Sequence, residues 1–267
     1  MLILNNLILL AKNFRKVTGH LYEYLFSHFF STIARLVIID AFSLIKQTKL
    51  AGPDSLSISI ITAFFVSMVF TFQLVKEILF FNTNHVIGAV LALAFIRELS
   101  PVLTSVILIG RVASSYAAEL ATIKITDQLS ALYLLGVNPI IYLLLPRVLA
   151  SMCMFPLLNF IAFLTSIASS TFVCSIFYKI DIQIFLVSVF SVMSIRDIIK
   201  SSLKMIVFSF VISLISCFSG LSASPGAYGV GLSTTNAVVN CLLSVFVLDF
   251  ILSYLMFDYL ESSIRFF

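Results

Sequence analysis

Arg97 and Glu98 stand side by side between two apolar runs, VIGAVLALAFI and LSPVLTSVILIG. A charge near the middle of a bilayer costs at least about 2.5 kcal/mol on insertion scales, so such residues pair with one another or face a watery cavity. Neighbouring positions on a helix diverge by about 100°, and the two side chains are therefore expected to meet different partners. Pro101 follows Arg97 by four residues, where its ring removes a backbone bond to the Arg97 carbonyl and bends the helix at the charged step. Arg97, Pro101, Thr104, Leu108 and Arg111 fall near one helical face, giving an apolar track with one cation at its middle and another at its end. Such a track suits an amphiphile with an anionic head, such as a phospholipid, and Lys204 from a later helix is expected to join it. The competing reading is an ion pair that only locks helices together.

The elements that must hold these residues follow from composition. Of 267 residues, 61% are hydrophobic and 10% charged, and mean hydropathy is +1.14; an average soluble domain carries roughly 25% charged residues. An all-α integral membrane protein is the expected fold class, because a crossing needs roughly 20 apolar residues and the chain has room for about five or six. Five spans are expected, near 57–75, 86–118, 148–176, 204–220 and 235–257. Residues 1–50 carry charges at intervals and are read as helices lying in the interface. Their apolar start precedes a basic cluster, the reverse of a secretory signal, so this segment is expected to stay in the mature protein. Residues 139–178 are too long for one straight crossing, and Pro146 and Pro156 are taken to divide them into an interfacial helix and a tilted span. Residues 182–195 are expected to lie on the surface. Basic residues before the first span place the N-terminus in the cytoplasm or its equivalent, although the basic loop 179–204 then faces outward against the rule.

Several chemistries are excluded or disfavoured. The net charge of +4 is spread along the chain, so no nucleic-acid partner is expected. Cys153, Cys174, Cys217 and Cys241 lie singly in apolar runs, and His20, His28 and His85 are isolated, so no metal site is expected. The stretch GAYGVG lacks the lysine and preceding strand of a phosphate-binding loop; Gly226, Gly229 and Gly231 are read as turn residues. No catalytic residue is assigned. Asp249, inside the last span, is expected to make a polar contact between helices.

A hydrophilic stretch, ITDQLSALYLLGVNP, follows the charged span. It predicts a short helix within about residues 125–137, with Thr126 as N-cap, a stop at Gly136 and a reset at Pro139. Its order of acidic residue, small residues, glycine and then Leu145 and Pro146 resembles the coupling loop by which ABC-transporter permeases dock on their ATPase.

The run IRELSPVLTSVILIGRVASSYAAELATIKITDQLSALYLLGVNP, then PRVLASMCMFPLL, GLSASPGAYGVGLSTTNAVV and LDFILSYLMF, resembles the MlaE-type permease family in motif content and order. The resemblance covers about residues 30–258 and marks 51–267 as the permease domain. It implies a homodimer of five-span chains over two copies of an ATPase, with lipid in the dimer cavity passing to or from an MCE-domain protein on the far side. Carried over, Arg97, Glu98, Pro101 and Lys204 fall beside the cavity, and Thr126, Asp127, Gln128 and Gly136 in the ATPase-coupling segment. Asp127 stands where the family often has glutamate. No cofactor is implied on this chain, ATP and Mg belonging to the partner ATPase. Phe-rich composition, with 27 phenylalanines, fits a plastid-encoded member of the chloroplast inner envelope; a bacterial or cyanobacterial inner membrane is the other location implied. Readings from other classes are a lipid-modifying enzyme using Glu98 as acid or base, which lacks a nucleophile, and an ion-coupled secondary transporter, which lacks an internal repeat.

Overall fold

The computed structural model describes residues 41–80 and 86–257, and the expected interfacial helices before residue 41 lie outside the described residues. Among the described residues every regular element is helical: α1 Ala41–Ala51, α2 Pro53–Phe80, α3 Ile87–Ile125, α4 Gln128–Leu134, α5 Leu145–Phe177, α6 Ile182–Val192, α7 Ile195–Leu221 and α8 Ala227–Phe257. Five apolar helical stretches are long enough to cross a bilayer: α1 with α2, then α3, α5, α7 and α8. The all-α membrane fold expected from the sequence is therefore the one observed.

The helices run longer than the uncharged windows of the sequence. Pro53 opens α2, where a missing N–H costs nothing, and Asp54 favours the positive end of the helix dipole. Helix α3 has 39 residues, about 58 Å at 1.5 Å each, so it projects well beyond a hydrocarbon layer of about 30 Å. No interfacial helix separates from α5. A π-helical turn, Ile140–Leu144, leads directly into it, Pro146 sits in the first turn where it is tolerated, and Pro156 is carried inside the helix. Helix α7 starts at Ile195 instead of near 204: Ser194 caps it, and its Asp197 and Lys204 are buried and paired. Arg196, Lys200 and Lys204 thus belong to a helix, and much of the charge set against the orientation rule is no loop at all. Gly226, at φ +98°, makes the turn before α8, whereas Gly229 and Gly231 are already helical.

Inside a bilayer the hydrophobic effect does not drive helices together, and close packing of small residues takes over. Helix α2 shows this directly: Ser55, Ser59, Ala63, Ser67 and Thr71 recur every four residues and are buried, while Phe65 and Val69 on other faces are exposed. The buried stripe faces α5, where Thr71 Oγ1 donates to Ser170 Oγ at 3.0 Å and Ser169 Oγ donates to the Phe64 carbonyl at 2.8 Å. Helix α7 lies at the centre, packed against α3, α5 and α8. Met205, Phe208 and Ile212 from α7 form one core with Leu108, Val112 and Tyr116 of α3, Phe155 of α5, and Cys241 and Val245 of α8.

A close helix contact beside this core is at Gly220, near the end of α7. A Cβ there would stand 2.6 Å from the Ala117 carbonyl oxygen and 2.8 Å from Leu120 Cβ on α3. Gly220→Val is expected to cost about 1–3 kcal/mol by overpacking and to lower the thermal unfolding midpoint of the purified chain. Gly231→Ala, with nothing within 4 Å of the added atom, is expected to leave that midpoint unchanged or raise it slightly.

Candidate functional site

Pro101 decides the local backbone. Having no N–H, it cannot bond the Arg97 carbonyl four residues earlier. The helix widens at this step: Phe95–Leu99 forms a π-helical turn, and the Ser100 amide bonds the Phe95 carbonyl five residues back. The Arg97 carbonyl instead accepts from Lys204 Nζ of α7 at 3.2 Å.

Lys204 is completely buried and gathers three helices around its ammonium. It donates to Glu98 Oε2 of α3 at 3.0 Å and to Ser253 Oγ of α8 at 2.8 Å, and Asp249 Oδ1 of α8 lies 2.5 Å away. An ammonium has three protons, so four oxygens share them, and Asp249, the nearest, adds an opposite charge as well. Ser253 Oγ donates to Glu98 Oε2 at 3.1 Å. Asp249 and Ser253 are four apart on α8, hence on one face.

A second ion pair lies beside the first. Arg97 Nη2 is 3.1 Å from Asp197 Oδ1, and Ser194 Oγ donates to Asp197 Oδ2 at 2.7 Å while accepting from the Asp197 amide at 3.2 Å. The same Ser194 and Asp197 form the cap that starts α7. Between the pairs, Asn159 of α5 accepts from Ser100 Oγ at 2.7 Å and donates to Ser201 Oγ at 2.9 Å. Asp197, Ser201 and Lys204 occupy positions i, i+4 and i+7 of α7, one face whose every polar residue is matched from another helix. Arg97 lies ten residues into α3 and Lys204 nine into α7, about 15 and 14 Å from the starts of their helices and well inside both apolar stretches.

Exposure separates these groups by what they can meet. The Lys204 side chain is 0% exposed, Arg97 27% and Glu98 45%. Lys204 is thus closed off as the holder of the layer, and Arg97 and Glu98 are the charges a bound molecule can reach. Pro101, Thr104 and Leu108 are buried against the protein, Thr104 Oγ1 contacting Met205 Sδ at 3.6 Å. The apolar track expected along that face is therefore filled by α7 and is not open to a ligand. Thr126 caps no following helix: it closes α3, its Oγ1 donating back to the Thr122 carbonyl at 2.9 Å. Asp127 precedes α4 in left-handed conformation, φ 58°, a geometry tolerated best by glycine and by short polar residues. Gln128 opens α4, and Gly136, φ 74°, ends it as expected, with Val137 N bonding Leu132 O and Gly136 N bonding Tyr133 O. Helix α4 has no buried residue and exposes Tyr133, Leu134 and Leu135. Among the described residues no group of three or more His, Cys, Asp or Glu could hold a metal.

The sequence reading missed Asp197, Ser194, Asn159, Ser201 and Ser253. Two signals for them were present: the Ser194-to-Asp197 spacing of a helix cap, and the 4-then-3 spacing from Asp197 through Ser201 to Lys204.

Fold and site together define an all-helical membrane protein with a charged layer enclosed between α3, α5, α7 and α8. The chain belongs to the MlaE permease family, whose model matches residues 44–255. It is 46% identical over 238 residues to "Probable ABC transporter permease protein ycf63" of Pyropia yezoensis, covering 88% of this chain and 90% of that protein. It is similar to the Synechocystis "Probable ABC transporter permease protein slr1045", 44% identical with 80% and 81% covered. It is also similar to "Protein TRIGALACTOSYLDIACYLGLYCEROL 1, chloroplastic" of Arabidopsis thaliana, 42% identical with 83% of this chain and 63% of that protein covered. The chain is an integral membrane protein and a family member of plastid or cyanobacterial type.

Removing one partner of a buried ion pair leaves an uncompensated charge and costs about 3–5 kcal/mol. Lys204→Met is accordingly expected to lower the unfolding midpoint of the purified chain sharply. Adding Glu98→Gln and Asp249→Asn to Lys204→Met is expected to recover most of the loss, as read by thermal unfolding in detergent.

Proposed function

We propose that this chain is the membrane subunit of an ABC-type lipid transporter, in which a separate ATPase supplies the energy and Arg97 and Glu98 meet the polar head of the lipid. The observation that carries this reading is the pair of partly open charges, Arg97 and Glu98, held among apolar helices by closed ones. An apolar cargo needs no charge there, and a small ion needs no apolar surroundings. The relative named for trigalactosyldiacylglycerol and chloroplasts adds a lipid and a compartment, and the ABC-permease names of the others imply an ATPase.

The finer parts of the reading combine that geometry with the family resemblance. Helix α4 presents Tyr133, Leu134 and Leu135 outward with Asp127 at its start, a protruding apolar and acidic surface suited to a groove on the ATPase. Helix α8 leaves Val239, Leu243, Phe246 and Phe250 exposed along its length, the surface on which a second copy of the chain is proposed to pack. The cavity between two copies would hold the lipid, and an MCE-domain protein would exchange it on the far side. ATP and Mg would bind to the ATPase alone. The plastid inner envelope is the proposed location.

Two variants test the assignment in a purified, reconstituted complex. Arg97→Gln keeps a polar side chain beside Asp197 and is expected to reduce ATP-driven lipid transfer by about tenfold or more, the loss of a charge-assisted contact of about 1.5–3 kcal/mol. Transfer at the wild-type rate would remove Arg97 from the lipid site. Asp127→Lys is expected to abolish copurification of the ATPase while the membrane part keeps its unfolding midpoint, and an undiminished pull-down would refute docking through α4.

A further inference from the structure

Away from the Lys204 layer, a cleft of about 550 Å³ lies between α1, the C-terminal part of α3 and the start of α5. Its wall contains the other buried cation of the described residues, Arg147, which is 4% exposed. Arg147 Nη2 pairs with Glu119 Oε2 at 2.8 Å, and the guanidinium lies 5.7 Å from the centre of the Tyr116 ring. That leaves Nε and Nη1 buried without an acceptor. On the opposite wall Gln47 Oε1 of α1 is buried without a donor, and Lys46 stands exposed at the rim. Buried hydrogen-bonding groups left unmet are costly, so donors and an acceptor left over around one cleft call for a molecule that supplies both.

We propose that this cleft binds a phospholipid headgroup from the adjacent leaflet, its phosphate taken by Arg147 and Lys46 and its hydroxyl groups by Gln47 and Glu119. The charge balance fits an anion: Arg147 and Lys46 against Glu119 leave one positive charge. Glu119 is only partly buried, at 37% exposure, and fixes the guanidinium while offering its carboxylate to hydroxyl donors. Ile123 and Leu143 line the same cleft and give the first part of an acyl chain apolar contact. Basic pockets between membrane helices at an interface are suited to phosphate headgroups, which a neutral sugar headgroup would satisfy only in part. Turning the guanidinium toward the cleft brings its unused N–H groups to the phosphate. The site shares no residue with the Arg97 layer, so its occupant would be a resident lipid and not the transported one.

The test uses the full chain in neutral detergent, titrated with mixed micelles of phosphatidylglycerol, with a neutral galactolipid, and with inorganic phosphate, bound lipid being counted by native mass spectrometry. Phosphatidylglycerol is expected to bind at least tenfold more tightly than the galactolipid. Lys46→Glu, an exposed change, should remove that preference without moving the unfolding midpoint, and Gln47→Leu should weaken phosphatidylglycerol severalfold. Equal affinity for charged and neutral lipid, or undiminished binding by Lys46→Glu, overturns the proposal. Inorganic phosphate competing as strongly as the lipid would overturn the lipid as its source. None of these readouts depends on ATP or on lipid movement, so failure here and failure of the transport reading are separate results.

Discussion

A buried ammonium has to be surrounded before a helix bundle can close over it in a membrane. Lys204 meets that demand with one carbonyl, one hydroxyl and two carboxylates drawn from α3 and α8, and in doing so fixes the relative height of three helices. Close packing of small residues sets part of the register between membrane helices, and polar contacts add to it. Here a shift of α7 by one turn would leave Lys204 against apolar surface and separate Arg97 from Asp197 and Ser201 from Asn159. Three contacts on one face of α7 therefore act together, and the closed ones determine where the open ones stand.

The proline and the lysine belong to one device. Pro101 withholds an amide from the Arg97 carbonyl, the helix widens, and Lys204 occupies the position so created. Neither residue explains itself alone: a proline without the ammonium leaves a carbonyl unmatched in hydrocarbon, and an ammonium without the carbonyl has one acceptor fewer. With both present, Arg97 and Glu98, adjacent in sequence, are directed to two different residues of the same helix, Asp197 and Lys204.

Much of this was legible beforehand, for identifiable reasons. Hydropathy sums over many residues, so five spans and the all-helical class survive local errors. The charged step at Arg97 and Glu98, with Pro101 behind it, stood out because charge is rare in such a sequence. What the sequence hid was pairing. Lys204 reads as the end of a span when its carboxylate partners, 106 residues before and 45 after, are unknown, so α7 was started too late. Thr126 has the right chemistry for a helix cap, yet α3 continues through the segment and claims its hydroxyl for the Thr122 carbonyl. The face through Pro101, Thr104 and Leu108 is apolar in sequence whether lipid or α7 covers it. Only the packing shows that α7 does.

Helix α4 is held at both ends by left-handed residues, Asp127 and Gly136, and contributes no side chain to the core. Asp127 suits such a position better than the longer glutamate would. An element attached in this way is free to change its sequence without disturbing the bundle. Its surface can follow the surface of a partner through many substitutions while the membrane part stays as it is. Within this chain α4 is thus where substitutions carry the least cost to folding, and α7 is where they carry the most.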